Sequence, residues 1–235
     1  DDLNRACENL SAMKGDPRYV LSEISDDHIF FETKAEYAKN MVTGFIKLNG
    51  MTVGAVANNE DTLSIKGSYK AADFVNFCDA FNIPVLTLTN VNGFKATMCS
   101  ERNIAAAAAK LTYAFGNATV PKVNVIVGKA FGNAYNVMNS KAIGADMVYA
   151  WPNAEIGMMD ATLAAKVMYG DTDAATVKEK AAEYAALQNN VVSAARRGYV
   201  DTIIEAQDTR KYVIGAFEML FTKREDRPVK KHGTV

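Results

Sequence analysis

The chain has 235 residues, with 26 Lys and Arg against 27 Asp and Glu, so its net charge is close to zero. This balance argues against a nucleic-acid partner, because proteins that bind nucleic acid usually carry a basic stripe. The apolar runs are too short, or too interrupted by charge, to cross a bilayer, and no signal-peptide pattern opens the chain. We therefore expect a cytoplasmic protein with one well-buried domain and without direct membrane insertion.

The first part of the chain is predicted to be a lead-in segment. Residues 1–29 are polar and mixed, with a helical tendency before Pro17. The chain starts at Asp1 without a Met, which is typical of a trimmed chain or a fragment. The main domain is predicted over residues 30–235.

A hairpin opens this domain. Two apolar segments, Gly44–Leu48 and Thr52–Ala57, flank the pair Asn49-Gly50, which is the strongest short-range hairpin signal. A helix follows, for which Ser68 is the predicted N-cap. Its apolar residues recur at helical spacing and are Ala71, Phe74, Val75, Cys78 and Phe81.

Strands then alternate with helices. Pro84 opens a buried strand, Val85–Thr89, and Pro121 opens another, which contains the apolar run Val123–Val127. Met147–Ala150 is a third strand. Further helices are predicted at about 101–115, 160–169, 173–197 and 207–224, with a short strand at 199–204. This alternation predicts an α/β domain with a largely buried sheet.

The cysteines and histidines narrow the possible chemistry. Cys7, Cys78 and Cys99 are odd in number and widely spaced, so we expect buried free thiols without a disulfide framework. The only two histidines are His28 and His232. A Ser-His-Asp triad or a multi-histidine zinc site is therefore nearly excluded, and we expect no metal site.

The most informative stretch follows the run that ends at Val127. A small-residue turn lies there, and helical spacing resumes from Ala134. A strand–turn–helix junction of this kind aims free backbone N–H groups at whatever lies above the helix N-terminus. Fixed donors without a titrating side chain suit a negatively charged or enolate-like oxygen. The simpler alternative is a tight turn without a chemical role.

Several ordered blocks carry a family resemblance. They are residues 74–84, 118–122, Lys129-Ala130-Phe131-Gly132-Asn133-Ala134-Tyr135, residues 149–156, residues 197–201, and tail motifs at 227–228 and 231–233. These blocks resemble the carboxyltransferase subunits of biotin-dependent acyl-CoA carboxylases and decarboxylases. The resemblance runs from about Phe30 to Val235. It matches the C-terminal one of the two crotonase-like domains that those subunits carry in tandem.

The resemblance implies a crotonase-like α/β fold, a spiral of ββα units with trailing C-terminal helices. It implies transfer of a carboxyl group between carboxybiotin and a short-chain acyl-CoA of the propionyl or methylmalonyl type. Biotin is expected on a separate biotin carboxyl carrier protein or domain, not covalently bound to this chain. A separate N-terminal half would hold the acyl-CoA. The resemblance also suggests an oligomer, a hexamer built from halves.

The resemblance further implies which residues form the site. Where the family has Gly-Gly-Ala-Tyr, the chain has Gly132-Asn133-Ala134-Tyr135, and the N–H groups of Asn133 and Ala134 would hold the ureido oxygen of biotin. Asn133 replaces a Gly, and Asn tolerates left-handed backbone conformations. The other residues expected to bind biotin or substrate are Gly93, Phe94, Phe131, Gly132, Tyr135, Asn136, Asp160 and Ala161. For Asn136, a plain position in the first turn of the helix is an equal alternative.

Three departures from the family pattern bear on activity. Asn92 stands for the Pro of a Pro-Gly-Phe turn, Ala106 and Ala107 stand for Arg and His, and Asp160 stands for Gly. Asp160 is a good helix N-cap and would repel a carboxylate. Two alternatives to the carboxylase component therefore stay open. One is a non-catalytic structural subunit of a carboxyltransferase complex, and the other is the decarboxylase subunit of a sodium-pumping acyl-CoA decarboxylase.

Overall fold

The structure, a computed structural model, describes residues 2–12, 16–170 and 172–226. Its strands are Phe30–Thr33 (β1), Met41–Leu48 (β2), Met51–Asn58 (β3), Thr62–Leu63 (β4), Val85–Val91 (β5), Gly93–Phe94 (β6), Lys122–Phe131 (β7), Met147–Ala150 (β8), Glu155–Gly157 (β9) and Thr202–Ile203 (β10). Its α-helices are Pro17–Ile24 (α1), Ile65–Ala80 (α2), Met98–Asn117 (α3), Gly132–Val137 (α4), Ala161–Tyr169 (α5), Ala174–Tyr184 (α6), Val191–Arg196 (α7) and Thr209–Met219 (α8). There are also short 3-10 helices at Glu8–Ala12, Asp26–His28, Lys141–Ile143, Ala206–Asp208 and Leu220–Thr222, and a π-helical turn at Ala185–Asn189. The tail motifs at 227–228 and 231–233, and His232, lie outside the described residues.

One large sheet organises the chain. Its order is β1-β2-β3-β5-β7-β8-β10, and β9 pairs with the far end of β7. Strands β1, β2 and β3 are antiparallel neighbours, whereas β3, β5, β7, β8 and β10 run parallel. Strands β4 and β6 form a small parallel pair of their own. The predicted α/β class, with helices trailing after the sheet, is confirmed.

The apolar core lies on both faces of the sheet. One face packs against α2 and α3, where Leu111 and Phe115 are fully buried. The other face packs against α1 and α8, where Leu21 and Phe217 are buried. Because both faces are covered, the central strand β5 is buried throughout Val85–Thr89, including the hydroxyl residues Thr87 and Thr89.

The predicted hairpin is confirmed, and the start of the next helix is corrected. Strands β2 and β3 pair around Asn49 and Gly50, whose φ angles of 51° and 78° match the turn that Asn-Gly favours. Helix α2 begins about one turn earlier than predicted. Its N-cap is Ser64, whose side chain accepts from the Gly67 N–H, and Ser68 is buried within the helix.

The aromatic face of α2 is only partly buried. Phe74 lies in the core, but Phe77 and Phe81 are 47% and 65% exposed. The rings of Phe77 and Phe81 contact each other, with centroids 4.6 Å apart. The core role that helical spacing predicts for Phe81 is therefore wrong: α2 ends at Ala80, and Phe81 is the C-cap residue that follows it.

A buried arginine holds the N-terminal segment against the sheet domain. Helix α1 begins at Pro17, whereas the sequence predicts a helical tendency before this proline, where the described residues include the short 3-10 helix Glu8–Ala12. Arg210, fully buried on α8, donates to the Ile24 carbonyl and to Asp26 Oδ1, each at 2.6 Å. Asp26 also accepts from the Gly50 N–H at 2.8 Å. The lead-in, the hairpin turn and α8 therefore meet at one ion pair.

The long helix predicted at 173–197 is interrupted. Helix α6 ends at Tyr184, and the π-helical turn follows. Asn190 then caps α7 by accepting from the Ser193 N–H at 2.8 Å. The helix predicted at 207–224 is α8 followed by a 3-10 turn. The π-helical turn matters below, because it places Asn189 against the candidate site.

Candidate functional site

The predicted strand–turn–helix junction lies where β7 meets α4. Strand β7 runs on to Phe131, beyond the predicted end at Val127. Gly132 follows with a φ of 59° and begins α4. No side chain in the described part of the chain caps this helix. The N–H groups of its first turn, including those of Asn133 and Ala134, therefore have no acceptor within the helix.

A cavity of about 490 Å³ lies in front of this turn. Its lining residues are Asn92, Gly93, Phe94, Phe131, Gly132, Asn133, Ala134, Met158, Met159, Asp160 and Leu163. They follow the carboxyl ends of three parallel strands, β5, β7 and β9. This is the usual place for ligands in sheets with parallel strands.

The structure brings together seven of the ten predicted site residues. Those that line the cavity are Gly93, Phe94, Phe131, Gly132, Asn133, Ala134 and Asp160. Three others lie outside the lining. Tyr135 is buried beneath the turn, and Ala161 is the buried first residue of α5. Asn136 is exposed, and its carbonyl accepts from the Ser140 hydroxyl at 2.8 Å.

Tyr135 is buried in the core directly after the turn. Its side chain is 6% exposed, and its hydroxyl has no hydrogen-bond partner among the described residues. Burial raises the pKa of this phenol to about 12. Tyr135 is therefore a neutral core residue of α4.

The left-handed residue of the turn is Gly132, not Asn133. Asn133 lies inside the helix, so its tolerance of left-handed conformations does not explain why it can replace a Gly. A Cβ on Gly132 would lie 3.0 Å from the carbonyl oxygen of Met158. Glycine is therefore required at position 132 for its backbone angle and for the close approach of the segment after β9.

Two helices begin at the cavity, and one of them is capped. Asp160 accepts from the N–H groups of Thr162 at 2.9 Å and Leu163 at 3.4 Å, which confirms its predicted place as the N-cap of α5. Helix α4 has no such cap. Asp160 is also the one ionisable side chain among the lining residues. The cavity thus combines one carboxylate with uncapped main-chain amides.

Three apolar side chains of the lining were not predicted. They are Met158, Met159 and Leu163, which follow β9. Met158 is 77% exposed and Leu163 is 53% exposed. Large exposed apolar side chains around a cavity are typical of a surface that a ligand or another chain covers.

A larger cavity of about 650 Å³ lies at the other end of the sheet. Its lining includes Pro84 and Pro121, the residues directly before β5 and β7. It therefore lies at the amino ends of the parallel strands, whereas ligands of such sheets bind at the carboxyl ends. We assign the candidate site to the cavity at the carboxyl ends.

Three further expectations concern metal sites, membrane spans and thiols. Within residues 2–12, 16–170 and 172–226, no three His, Cys, Asp or Glu side chains are grouped so that they could hold a metal ion. In the same part of the chain, no helix combines the length and apolar content that a bilayer span requires. Cys7 and Cys78 are buried free thiols, as expected. The side chain of Cys99 lies outside what the structure describes.

Comparisons of this chain with known proteins agree on one family. Residues 9–235 match the carboxyl transferase domain family. The chain is 44% identical to a putative propionyl-CoA carboxylase beta chain of Bacillus subtilis, over 99% of this chain and 48% of that protein. It is 41% identical to the methylmalonyl-CoA decarboxylase subunit alpha of Propionigenium modestum, over 100% of this chain and 49% of that subunit.

The fold is similar to a solved structure of transcarboxylase 12S, described as a hexamer with hydrolysed methylmalonyl-coenzyme A bound. The TM-score is 0.93 and the identity 43%, over 100% of this chain and 48% of that chain. This similarity confirms the crotonase-like fold. The chain spans about half the length of the relatives it matches. It belongs to the carboxyl transferase domain family.

Proposed function

We propose that this chain is the C-terminal, biotin-binding half of a biotin-dependent acyl-CoA carboxyltransferase. It moves a carboxyl group between carboxybiotin and a short-chain acyl-CoA of the propionyl or methylmalonyl type. The observation that carries the proposal is the uncapped first turn of α4, which lines a cavity at the carboxyl ends of the strands. Membership of the carboxyl transferase domain family supports it.

The lining of the cavity fits the ureido ring of biotin. That ring is flat and uncharged, with an oxygen that accepts hydrogen bonds. Asn133 and Ala134 offer main-chain donors, and Phe94 and Met158 offer apolar surface. Among the lining residues there is no His, Lys or Arg that could act as a competing proton donor.

The residues of this chain contribute hydrogen-bond donors and a charge at fixed positions in the cavity. When bound, biotin supplies the nitrogen that carries and releases the carboxyl group. The N–H groups of Asn133 and Ala134 donate to the ureido oxygen and stabilise negative charge there without transferring a proton. Because they belong to the main chain, they need no reorganisation during the reaction. The Asp160 carboxylate repels a carboxylate beside it, so it opposes binding of the charged group.

The proposal includes partners. A separate N-terminal half or subunit holds the acyl-CoA, and a biotin carboxyl carrier protein presents the biotin. The chain spans about half the length of its relatives, which supports a second half. The exposed Met158 and Leu163 beside the cavity suit a surface that a facing chain covers. The assembly is a hexamer of halves, and the reaction takes place in the cytoplasm.

A second candidate is a non-catalytic structural subunit. Ala106 and Ala107 stand where the resembling family has Arg and His, and Asp160 places a carboxylate in the cavity. These three residues favour a scaffold that pairs with an active carboxyltransferase. A decarboxylase component, the other alternative, would use the same site in the opposite direction.

The test is carboxyl exchange by the assembled protein. The chain is purified with the N-terminal half that co-purifies with it, and transfer from methylmalonyl-CoA to free biotin is followed with a labelled carboxyl group. We expect label in biotin that depends on both halves. A correctly assembled pair without exchange would support the structural subunit. The decarboxylase component would make this same transfer, so co-purification with a membrane sodium-pump subunit is the result that would support it.

A further inference from the structure

Asn189 is a buried amide that lies behind the candidate site. It ends the π-helical turn Ala185–Asn189 and is fully buried. Its Nδ2 donates to the carbonyl oxygen of Met159 at 3.1 Å. Its Oδ1 has no hydrogen-bond partner among the described residues. A buried acceptor without a partner costs free energy, so its retention needs a reason.

The segment Gly157–Asp160 lies between Asn189 and the turn at Gly132. On one side, a Cβ on Gly157 would overlap Oδ1 of Asn189, so the amide packs directly on that backbone. On the other side, the Met158 carbonyl approaches Gly132, as described above. The segment is therefore in contact with the amide on one face and with the start of α4 on the other.

The neighbouring residues strengthen this contact. Asn190 makes a bridge to Glu155 in β9, which pairs in turn with the end of β7. A π-helical turn contains one more residue than an α-helical turn, and such turns occur frequently at functional sites. Here it directs Asn189 inward, while the next residue caps α7.

We propose that Asn189 is a positioning residue for the biotin site. Its hydrogen bond to the Met159 carbonyl keeps Met158 and Asp160 at a set distance from the N–H groups of Asn133 and Ala134. Asn189 does not line the cavity and touches no ligand; it acts through the segment that does. The proposal rests on the proposed function, because the distance it sets is the width available to the ureido ring.

Two variants of Asn189 test this role in the assembled protein. Asn189→Ala removes the amide, and Asn189→Leu removes it while keeping the number and branching of the side-chain heavy atoms, which keeps the test open if the alanine variant does not fold. We expect the KM for free biotin to rise about three- to tenfold in both, the factor of one hydrogen bond. The KM for the acyl-CoA should stay within about twofold, because that substrate belongs to the other half.

The matched control is Gln188→Ala. Gln188 belongs to the same π-helical turn, but its side chain is exposed and accepts a hydrogen bond from Arg197. We expect this variant to behave as the wild type in both KM values. Equal rises of both KM values in the Asn189 variants, or no rise, would overturn the positioning role.

Amide hydrogen exchange separates this inference from the proposed function. In the Asn189 variants the amides of residues 157–163 should exchange about tenfold faster, while those of α8 keep their rates. An assembled wild type without carboxyl exchange would refute the function and leave this measurement valid. Unchanged exchange at 157–163 would refute the role of Asn189, whatever the activity.

Discussion

The carbonyl oxygen of Met158 lies 3.0 Å from the position that a Cβ would take on Gly132. This close approach joins the end of β7 to the segment after β9, although the two are more than twenty residues apart in the chain. The two walls of the cavity, the turn at Gly132 and the segment after β9, are therefore in direct contact, so a structural change in one displaces the other.

Gly132→Ala should lower both stability and activity. The new side chain meets the Met158 carbonyl, and the φ of 59° costs an L-residue about 1–2 kcal/mol. We expect that loss in the free energy of unfolding measured with urea. Gly93→Ala is the control for stability, because no heavy atom lies within 4 Å of a Cβ there. Equal stability of Gly132→Ala and the wild type would contradict the close packing.

Asn133→Pro tests the main-chain donors directly. Proline removes the N–H of residue 133 but is tolerated in the first turn of a helix. We expect carboxyl transfer to fall about 100-fold or more, as when one oxyanion donor is removed. Asn133→Ala keeps the N–H and should lose far less. Similar losses in both variants would assign the effect to the side chain.

Asp160 has two roles that can be tested separately: its side chain caps the N-terminus of α5, and its carboxylate places a negative charge in the cavity. Asn is as good an N-cap as Asp, so Asp160→Asn should keep the unfolding free energy, whereas Asp160→Ala should lose about 1 kcal/mol. Removal of the carboxylate should lower the KM for carboxybiotin in both variants. The measurements are urea unfolding and steady-state kinetics. A KM that rises in Asp160→Asn would show that the charge assists binding.

Arg210→Met should destabilise the chain strongly. It leaves Asp26 buried without its charged partner, and breaking a buried ion pair in this way costs about 3–5 kcal/mol. Arg18→Met is the matched control, since the Arg18–Glu32 pair is more exposed and should cost about 1 kcal/mol or less. Both values come from urea unfolding at neutral pH. Comparable losses would mean that burial does not distinguish the two pairs.

Asp26 should also contribute to acid sensitivity. Burial acts to raise its pKa, but hydrogen bonds from the Gly50 N–H and the Arg210 guanidinium outweigh it and lower the pKa below its usual range. The ionised form therefore stabilises the fold above the unfolded pKa of about 3.9, and this contribution is lost as the pH falls through the lower folded value. The stability difference between the wild type and Asp26→Asn should shrink from pH 6 to pH 3. A constant difference would contradict the shifted pKa.

Local signals explain which parts of the fold could be predicted. The hairpin at Asn49-Gly50 is encoded by adjacent residues, and it was predicted correctly. The cap of α2 was not, because Ser64 and Ser68 lie one turn apart and both fit the pattern. Burial decides between them: Ser68 is fully buried, and its hydroxyl donates within the helix to the Ser64 carbonyl at 2.9 Å. Phe81 is exposed and lies just beyond the end of α2 at Ala80, and the spacing of apolar residues does not reveal where the helix ends.

The candidate site likewise contains some residues that could be predicted from the sequence and others that could not. The turn at Gly132 could be predicted because it follows a recognisable strand, whereas Gly93 was predicted from the family resemblance. Met158 and Leu163 were missed because β9 has only three residues, too few for an alternating pattern. Asn189 was missed because nothing in its neighbours distinguishes a buried amide from an exposed one. Its role depends on a hydrogen bond to a residue 30 positions away.

Strand β7 pairs with both β8 and β9. The site should therefore tolerate insertions in the loop between β8 and β9 but not a change in the length of β7. Residues 123–126 of β7 pair with β8, and residues 129–131 pair with β9. The tip at 152–153 between those two partners is exposed, so an insertion there extends into solvent at small entropic cost. Deleting one residue within β7 would instead turn Phe131 to the opposite side of the sheet. Natural variation in loop length should therefore accumulate at 152–153, while β7 keeps a constant number of residues.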